Sequence, residues 1–377
     1  MLRELDRRQT RDYLLLRENP HGTGSYRLKP ELDLVYEWEI LGDTRYLHVE
    51  TNSAGMRWRE VPLEKTRPRV AFVGDSFTFG ESARTNERTF AAVFDAQLRA
   101  QSGADAWEVL NFGVPGFGPP DVELIVDEEV LKYEPDCLVY VFYDGNDFRD
   151  AYLGRDKYDV SRGDAVWFPE LLNERIPADF RPHDYVSERV GAKPLLSELQ
   201  LFRRFSRGLK QVERAFGGEV AAAAPPYSLD EFEASNEFLA YTFWSRPQYP
   251  PAAIEARDAA LACFDRILAA CEQRGIRMLV AALPTREQVY CRSISGVGAN
   301  GVPYDIRYPQ AHVEVWAAER GVPYLDLLPP LREGAARGDA RVFDDLDAER
   351  GDIHMNDAGH AAVGALLAEF FARTLAE

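Results

Sequence analysis

Residues 69–80 read RVAFVGDSFTFG. The first six, Arg69 to Gly74, form an apolar run of strand length that stops at a Gly-Asp turn. An apolar run without alternation fits a strand covered on both faces, as in a parallel sheet. Ser76 then lies at a strand-to-helix turn. Its hydroxyl faces the carboxyl edge of the sheet, and its N–H lies at an incipient helix N-terminus. A serine in that place needs a base to become a nucleophile. A phosphate-cradling loop would need the spacing GxxxxGK[ST], and no lysine is present here.

The same unit recurs outward from this stretch. Further apolar runs are WEVLNF (107–112), DCLVYVFY (136–143), IRMLVAAL (276–283) and VPYLDL (322–327). Helix-period segments separate or follow them at 87–100, 121–133, 253–273, 309–320 and 357–375. This alternation predicts an α/β chain with a flavodoxin-like, three-layer α/β/α core and a five-stranded parallel sheet, which binds ligands at its carboxyl edge. Residues 1–66 form an N-terminal extension. In it, Leu32–Trp38 and Arg45–Thr51 flank the turn Leu41-Gly42-Asp43 and read as a β-hairpin. The core therefore spans 67–377, interrupted at 151–250. In that insertion Leu195, Leu199, Phe202, Leu209, Val212 and Phe216 recur at helical spacing, and Tyr241, Phe243, Trp244 and Tyr249 cluster. It reads as a helical cap or lid over the strand ends, or else as an appendage packed elsewhere.

Composition narrows the function. The chain has 377 residues, 46% hydrophobic and 28% charged, which excludes a disordered chain or a rod. Its formal charge of −18 disfavours nucleic acid and anionic lipid surfaces. No run approaches the ~18 apolar residues of a membrane span. The N-terminus lacks the apolar stretch of a signal peptide, so the chain as given reads as cytoplasmic. Cys137, Cys263, Cys271 and Cys291 have no CxxC spacing and read as reduced, buried thiols. No metal site and no cofactor is expected, since the six histidines are not paired with cysteines at ligand spacing.

Three more segments fall on the same rim as Ser76. NFGVPGFG (111–118) ends the second strand, and its glycines let backbone N–H groups approach a ligand. Asp144-Gly145-Asn146-Asp147 ends the third, where Asn146 can aim its amide into the crevice. GDIHMNDAGH (351–360) precedes the last helix and offers His354 beside a carboxylate, the base and orienter a serine requires. Singly, each has an ordinary reading as a turn or a packed histidine.

Together, GDSFTFG, NFGVPGFG, GND and DIHMNDAGH resemble, in order and spacing, the blocks of the SGNH hydrolases, also called GDSL-type esterases and lipases. The match runs from about Arg69 to Glu377, insertion excluded. The resemblance implies Ser76 as nucleophile, His354 as general base, and an oxyanion hole of the Ser76 N–H, the Gly116 N–H and the Asn146 side chain. The usual Asp three residues before the histidine is replaced by Gly351. Asp352, two before, is the first choice of orienting carboxylate, as in carbohydrate-esterase and acetyltransferase-like relatives, with Glu349 and Asp347 as fallbacks. Asp144 stands where the family usually has Gly and would leave a charge near the crevice or point to solvent. TNSAGMR (51–57) and LPTREQVY (283–290) resemble envelope and polysaccharide-modifying relatives, which implies an envelope association for such proteins. Arg286 and Tyr290 are candidate substrate contacts, with surface-loop residues as the other reading. The expected activity is a serine esterase acting on an O-acyl group of a carbohydrate or hydroxylated metabolite. The alternatives are an O-acyltransferase using the same residues and a catalytically silent glycan-binding module. The expected partner is thus a small-molecule or saccharide ester, with no nucleic acid and no membrane span.

Overall fold

A computed structural model describes residues 15–376 except 23–24, 41–42, 104–105, 155–157, 160–165, 168–243, 246–248, 250, 292, 298–302 and 344–352. Most of the insertion read as a lid lies outside the described residues, as does Asp352 with both of its fallbacks.

Five parallel strands form the central sheet: β1 Arg69–Gly74, β2 Glu108–Gly113, β3 Cys137–Tyr143, β4 Arg277–Leu283 and β5 Tyr324–Asp326. Their order is β5-β4-β3-β1-β2, with the chain reversing direction across the sheet at β1 and β3. The apolar runs are buried because helices cover both faces, and every residue of β1, β2 and β3 is buried. Helices α2 (Phe90–Ser102) and α9 (Asp357–Ala376) pack together, while α5 (Pro251–Glu272) packs on α3 (Pro119–Glu128) and α4 (Asp147–Leu153). The layers follow the sequence expectation. All four cysteines are buried, and none of them forms a disulfide.

Local chemistry sets the helix starts on the carboxyl rim. Asp75 caps α1 (Ser76–Phe79) by accepting the Phe77 N–H. Asp121 accepts the Gly118 N–H at the start of α3. A reciprocal Thr285–Gln288 capping box opens α6 (Arg286–Tyr290). Two further helices, α7 (Tyr308–Arg320) and α8 (Leu328–Arg337), flank β5. Among the described residues no helix is long and apolar enough to cross a membrane.

The N-terminal block contains the expected hairpin, Asp33–Ile40 against Asp43–Glu50, and a second antiparallel pair, Leu16–Glu18 with Tyr26–Leu28. This block packs on the core. Tyr26 buries its ring edge-on against Phe117 at 5.2 Å and donates its hydroxyl to the Pro115 carbonyl at 2.8 Å. Arg57 enters the core at 1% exposure and donates to the carbonyls of Gly80 (2.6 Å), Ala83 (3.0 Å) and His48 (3.2 Å).

Candidate active site

Ser76 is the first residue of α1, at the carboxyl end of β1. The four-residue helix ends in a Schellman turn. Gly80, at φ 89°, donates to Phe77 O, and the Glu81 N–H donates to Ser76 O at 2.9 Å. The helix can lie close to the sheet because β2 ends in Gly113, where a Cβ would come within 2.1 Å of the Phe79 nitrogen. The first and second sequence blocks are thus packed backbone to backbone.

His354 reaches the same point from the far end of the chain. Its Nε2 lies 2.8 Å from Ser76 Oγ, across 278 residues of sequence. The ring rests on Phe77, centroids 4.8 Å apart, and Phe77 in turn lies 3.9 Å from the Tyr143 ring. A carboxylate absent from the sequence expectation completes the described surroundings. Glu81, 2% exposed, places Oε2 3.7 Å from His354 Nε2. His360, the other histidine of the final block, is fully buried, and its Nε2 donates to the Glu81 carbonyl at 3.1 Å.

Acids near the serine are strongly shaped by burial. Asp75 is 1% exposed, and burial raises its carboxyl from 3.8 to about 7, against the opposing pull of the Phe77 N–H and of His354. Asp144 gives a correction. It does not point to solvent. It is buried at 3% exposure, and burial, reinforced by nearby Asp326, pushes its carboxyl well above the usual range. The physical reason is desolvation, which penalises the charged form and outweighs the opposing pull of Gln288.

The remaining candidates take their places on the rim. Asn146 follows β3 as the N-cap of α4, and its Oδ1 is buried without a hydrogen-bond partner among the described residues. Gly116, at φ 77°, lies in the turn that Tyr26 braces through Pro115. Arg286 and Tyr290 both lie in α6, buried at 4% and 6% exposure. Arg286 pairs with Glu287, and the Tyr290 hydroxyl accepts the N–H groups of Val342 and Phe343. Trp244 and Tyr249 of the aromatic cluster pack on the core: Trp244 lies 5.4 Å from the Phe148 ring, and the Tyr249 hydroxyl donates to Trp244 O.

Sequence reasoning missed Glu81, Arg57 and Tyr26. Glu81 directly follows GDSFTFG, so the signal was one position beyond the motif. Away from the rim, Asp33, His48 and Glu50 bring metal-ligand atom types within 4.8 Å of one another on the hairpin. Exposed acids of this kind are common without an ion.

No protein-family model matches the sequence, and no curated protein matches it. The chain is similar to solved structures of carbohydrate esterases and of a GDSL-family protein. The acetyl xylan esterase AlAXEase aligns at 14% identity and a TM-score of 0.39, over 80% of this chain and 98% of its own. A putative lipolytic protein of the G-D-S-L family from Desulfitobacterium hafniense aligns at 15% identity and a TM-score of 0.36, over 81% and 99%. A catalytic mutant of an acetylxylan esterase from Geobacillus stearothermophilus aligns at 13% identity and a TM-score of 0.40, over 81% and 93%.

Proposed function

We propose that this chain is a serine esterase that cleaves an O-acyl ester, carried by a carbohydrate or another hydroxylated metabolite, through an acyl-enzyme on Ser76. The observation that carries the reading is the 2.8 Å contact of His354 Nε2 with Ser76 Oγ at the carboxyl edge of a doubly wound sheet. That distance is the hydrogen-bond reach required of a nucleophile and its base.

In this mechanism His354 Nε2 takes the hydroxyl proton as Ser76 Oγ bonds to the acyl carbon. The carbonyl oxygen becomes an oxyanion held by the Ser76 N–H, the Gly116 N–H and the Asn146 amide. Asp75 supports this arrangement by capping Phe77 N rather than Ser76 N. His354 then passes its proton to the leaving alcohol oxygen as the C–O bond breaks. Water, activated by the same imidazole, releases the acid. Asp352 is the proposed orienter of His354.

The test is covalent labelling with a fluorophosphonate, followed by a panel of acyl esters assayed with and without polyol acceptors. Labelling should fall on the peptide containing Ser76 and vanish in Ser76→Ala. His354→Ala should lose about 10³-fold or more in turnover. Product analysis in the acceptor arm separates release to water from transfer. Persistent labelling in Ser76→Ala, or a His354→Ala enzyme at wild-type rate, would overturn the proposal.

A further inference from the structure

Glu81 is held in a fixed relation to the nucleophile by backbone alone. Its N–H is bonded to the carbonyl of Ser76, and the left-handed Gly80 between them makes that return possible. Two buried side chains then clamp the segment from outside. Arg57 bonds the carbonyls of Gly80 and Ala83, on either side of Glu81, and His360 bonds the carbonyl of Glu81 itself. The side chain so fixed is almost fully enclosed, and its Oε2 stands 3.7 Å from His354 Nε2, the atom that faces Ser76 Oγ. Enclosure this complete strengthens the attraction between the carboxyl group and any positive charge that forms on the neighbouring imidazole.

We propose that Glu81 is a positioning residue for the reaction, acting through His354 by holding the imidazolium that forms when Ser76 gives up its proton. The inference rests on the esterase reading above and adds a residue to it. At 3.7 Å Glu81 Oε2 is beyond hydrogen-bond range of the ring nitrogen, so Ser76 keeps the Nε2 contact. During acylation the Ser76 proton moves to Nε2 and the Oγ–C bond forms. The ring is cationic until that proton leaves with the alcohol oxygen. A fixed carboxylate beside a ring that is charged only in this interval favours the transition state over the ground state. An orienting carboxylate of the usual kind bonds Nδ1. Glu81 lies at the opposite nitrogen, so its contribution is separate from that proposed for Asp352.

The experiment is a double-mutant cycle on an activated aryl acetate, with Glu81→Gln and His354→Ala singly and combined. Fluorophosphonate labelling of Ser76 and turnover by the wild type are established first. A wild-type protein that neither labels nor turns over would sink the esterase reading, and this inference with it. With an active wild type, Glu81→Gln should lower kcat about 10²-fold with KM changed less than about threefold, as for loss of an interaction made in the transition state. In the His354→Ala background the same change should cost nothing further, because the group it acts on is gone. An equal loss in both backgrounds, or a kcat within about threefold of wild type, would overturn the proposal while leaving the esterase reading intact. Folding of each variant is checked by circular dichroism. If Glu81→Gln does not fold, Glu81→Asp takes its place in the cycle. It keeps the charge but withdraws it by one methylene, and should lose about three- to tenfold in kcat only when His354 is present. An unchanged kcat there would overturn the proposal too.

Discussion

Asp75 sits in the turn that presents Ser76, and its enclosure makes a measurable demand on stability. Its Oδ1 accepts the Phe77 N–H at 2.9 Å, while Oδ2 is buried without a hydrogen-bond partner among the described residues. Burial raises the carboxyl from 3.8 to about 7. Below about pH 4 the folded and unfolded chains both carry the proton. Between about pH 4 and about pH 7 the unfolded chain has released it and the folded chain retains it, so stability falls as pH rises through this window. Three pH units at 1.36 kcal/mol each give a loss of roughly 4 kcal/mol, complete by about pH 7. Asp75→Asn removes this titration and keeps an acceptor for Phe77 N. The variant should therefore gain on the wild type by up to roughly 4 kcal/mol between about pH 4 and about pH 8, and the gain should be flat above about pH 7. Urea unfolding followed by far-ultraviolet circular dichroism across this range, with the slope m unchanged, reads the difference directly. Other titrating groups largely cancel in the comparison. A wild-type-minus-variant difference that does not move with pH, or that moves the other way, would refute the assignment of a buried, proton-retaining Asp75.

Two further outcomes follow from the packing of the rim. Gly113→Ala would place a Cβ within 2.1 Å of Phe79 N and 2.3 Å of Thr78 C, backbone atoms that cannot rotate away. It should lower stability by about 3 kcal/mol or more, seen as a fall in the urea midpoint, and an unchanged midpoint would count against the close approach of α1 to β2. Tyr26→Phe keeps the edge contact with Phe117 but leaves the buried Pro115 carbonyl without its donor. It should cost about 1–2 kcal/mol in unfolding free energy, and kcat should fall several-fold because Gly116 is the next residue. Full activity with full stability would mean that the N-terminal block does not support this turn.

The sheet was legible because burial on both faces leaves a plain mark: apolar runs of strand length ending at glycine or aspartate. Each of the five predicted strands lies within two residues of its position in the structure. The hairpin was legible for a related reason, an aromatic and β-branched pair of runs around a glycine turn. Helix α8 was not. It begins Leu-Pro-Pro, which reads as a break, yet proline is tolerated in a first turn whose N–H groups have no intrahelical partner. The pair Leu16–Glu18 and Tyr26–Leu28 is three residues per strand, too short for any periodicity to register. The burial of Asp144 was not legible, because residue type alone does not report what encloses a side chain. Ser76 and His354 were singled out by motif order and by their common rim. No periodicity reports a contact across 278 residues, and only tertiary structure brings Nε2 to Oγ.

The pattern break near residue 66 marks a change in local sequence, but the contacts cross it freely. Asn52 folds TNSAGMR back on itself, its Oδ1 accepting the N–H groups of Ala54 and Met56. Gly55 allows the return at φ 89°, since a Cβ there would come within 2.7 Å of Leu28 O. The product of this local geometry is one buried guanidinium, Arg57, delivered to the carbonyls that bracket Glu81. A guanidinium suits that task because its donors lie in a rigid fork and stay charged at any working pH. The Tyr26 and Arg27 strand does the corresponding work at the second block, with Arg27 paired to Glu128 and Glu129 and lying over the Phe117 ring. Two separate patches of the N-terminal block therefore each hold a different segment of the sheet's carboxyl rim. Removing that block would leave the carbonyls of Gly80, Ala83 and Pro115 without these donors, at the places where the proposed chemistry requires fixed geometry.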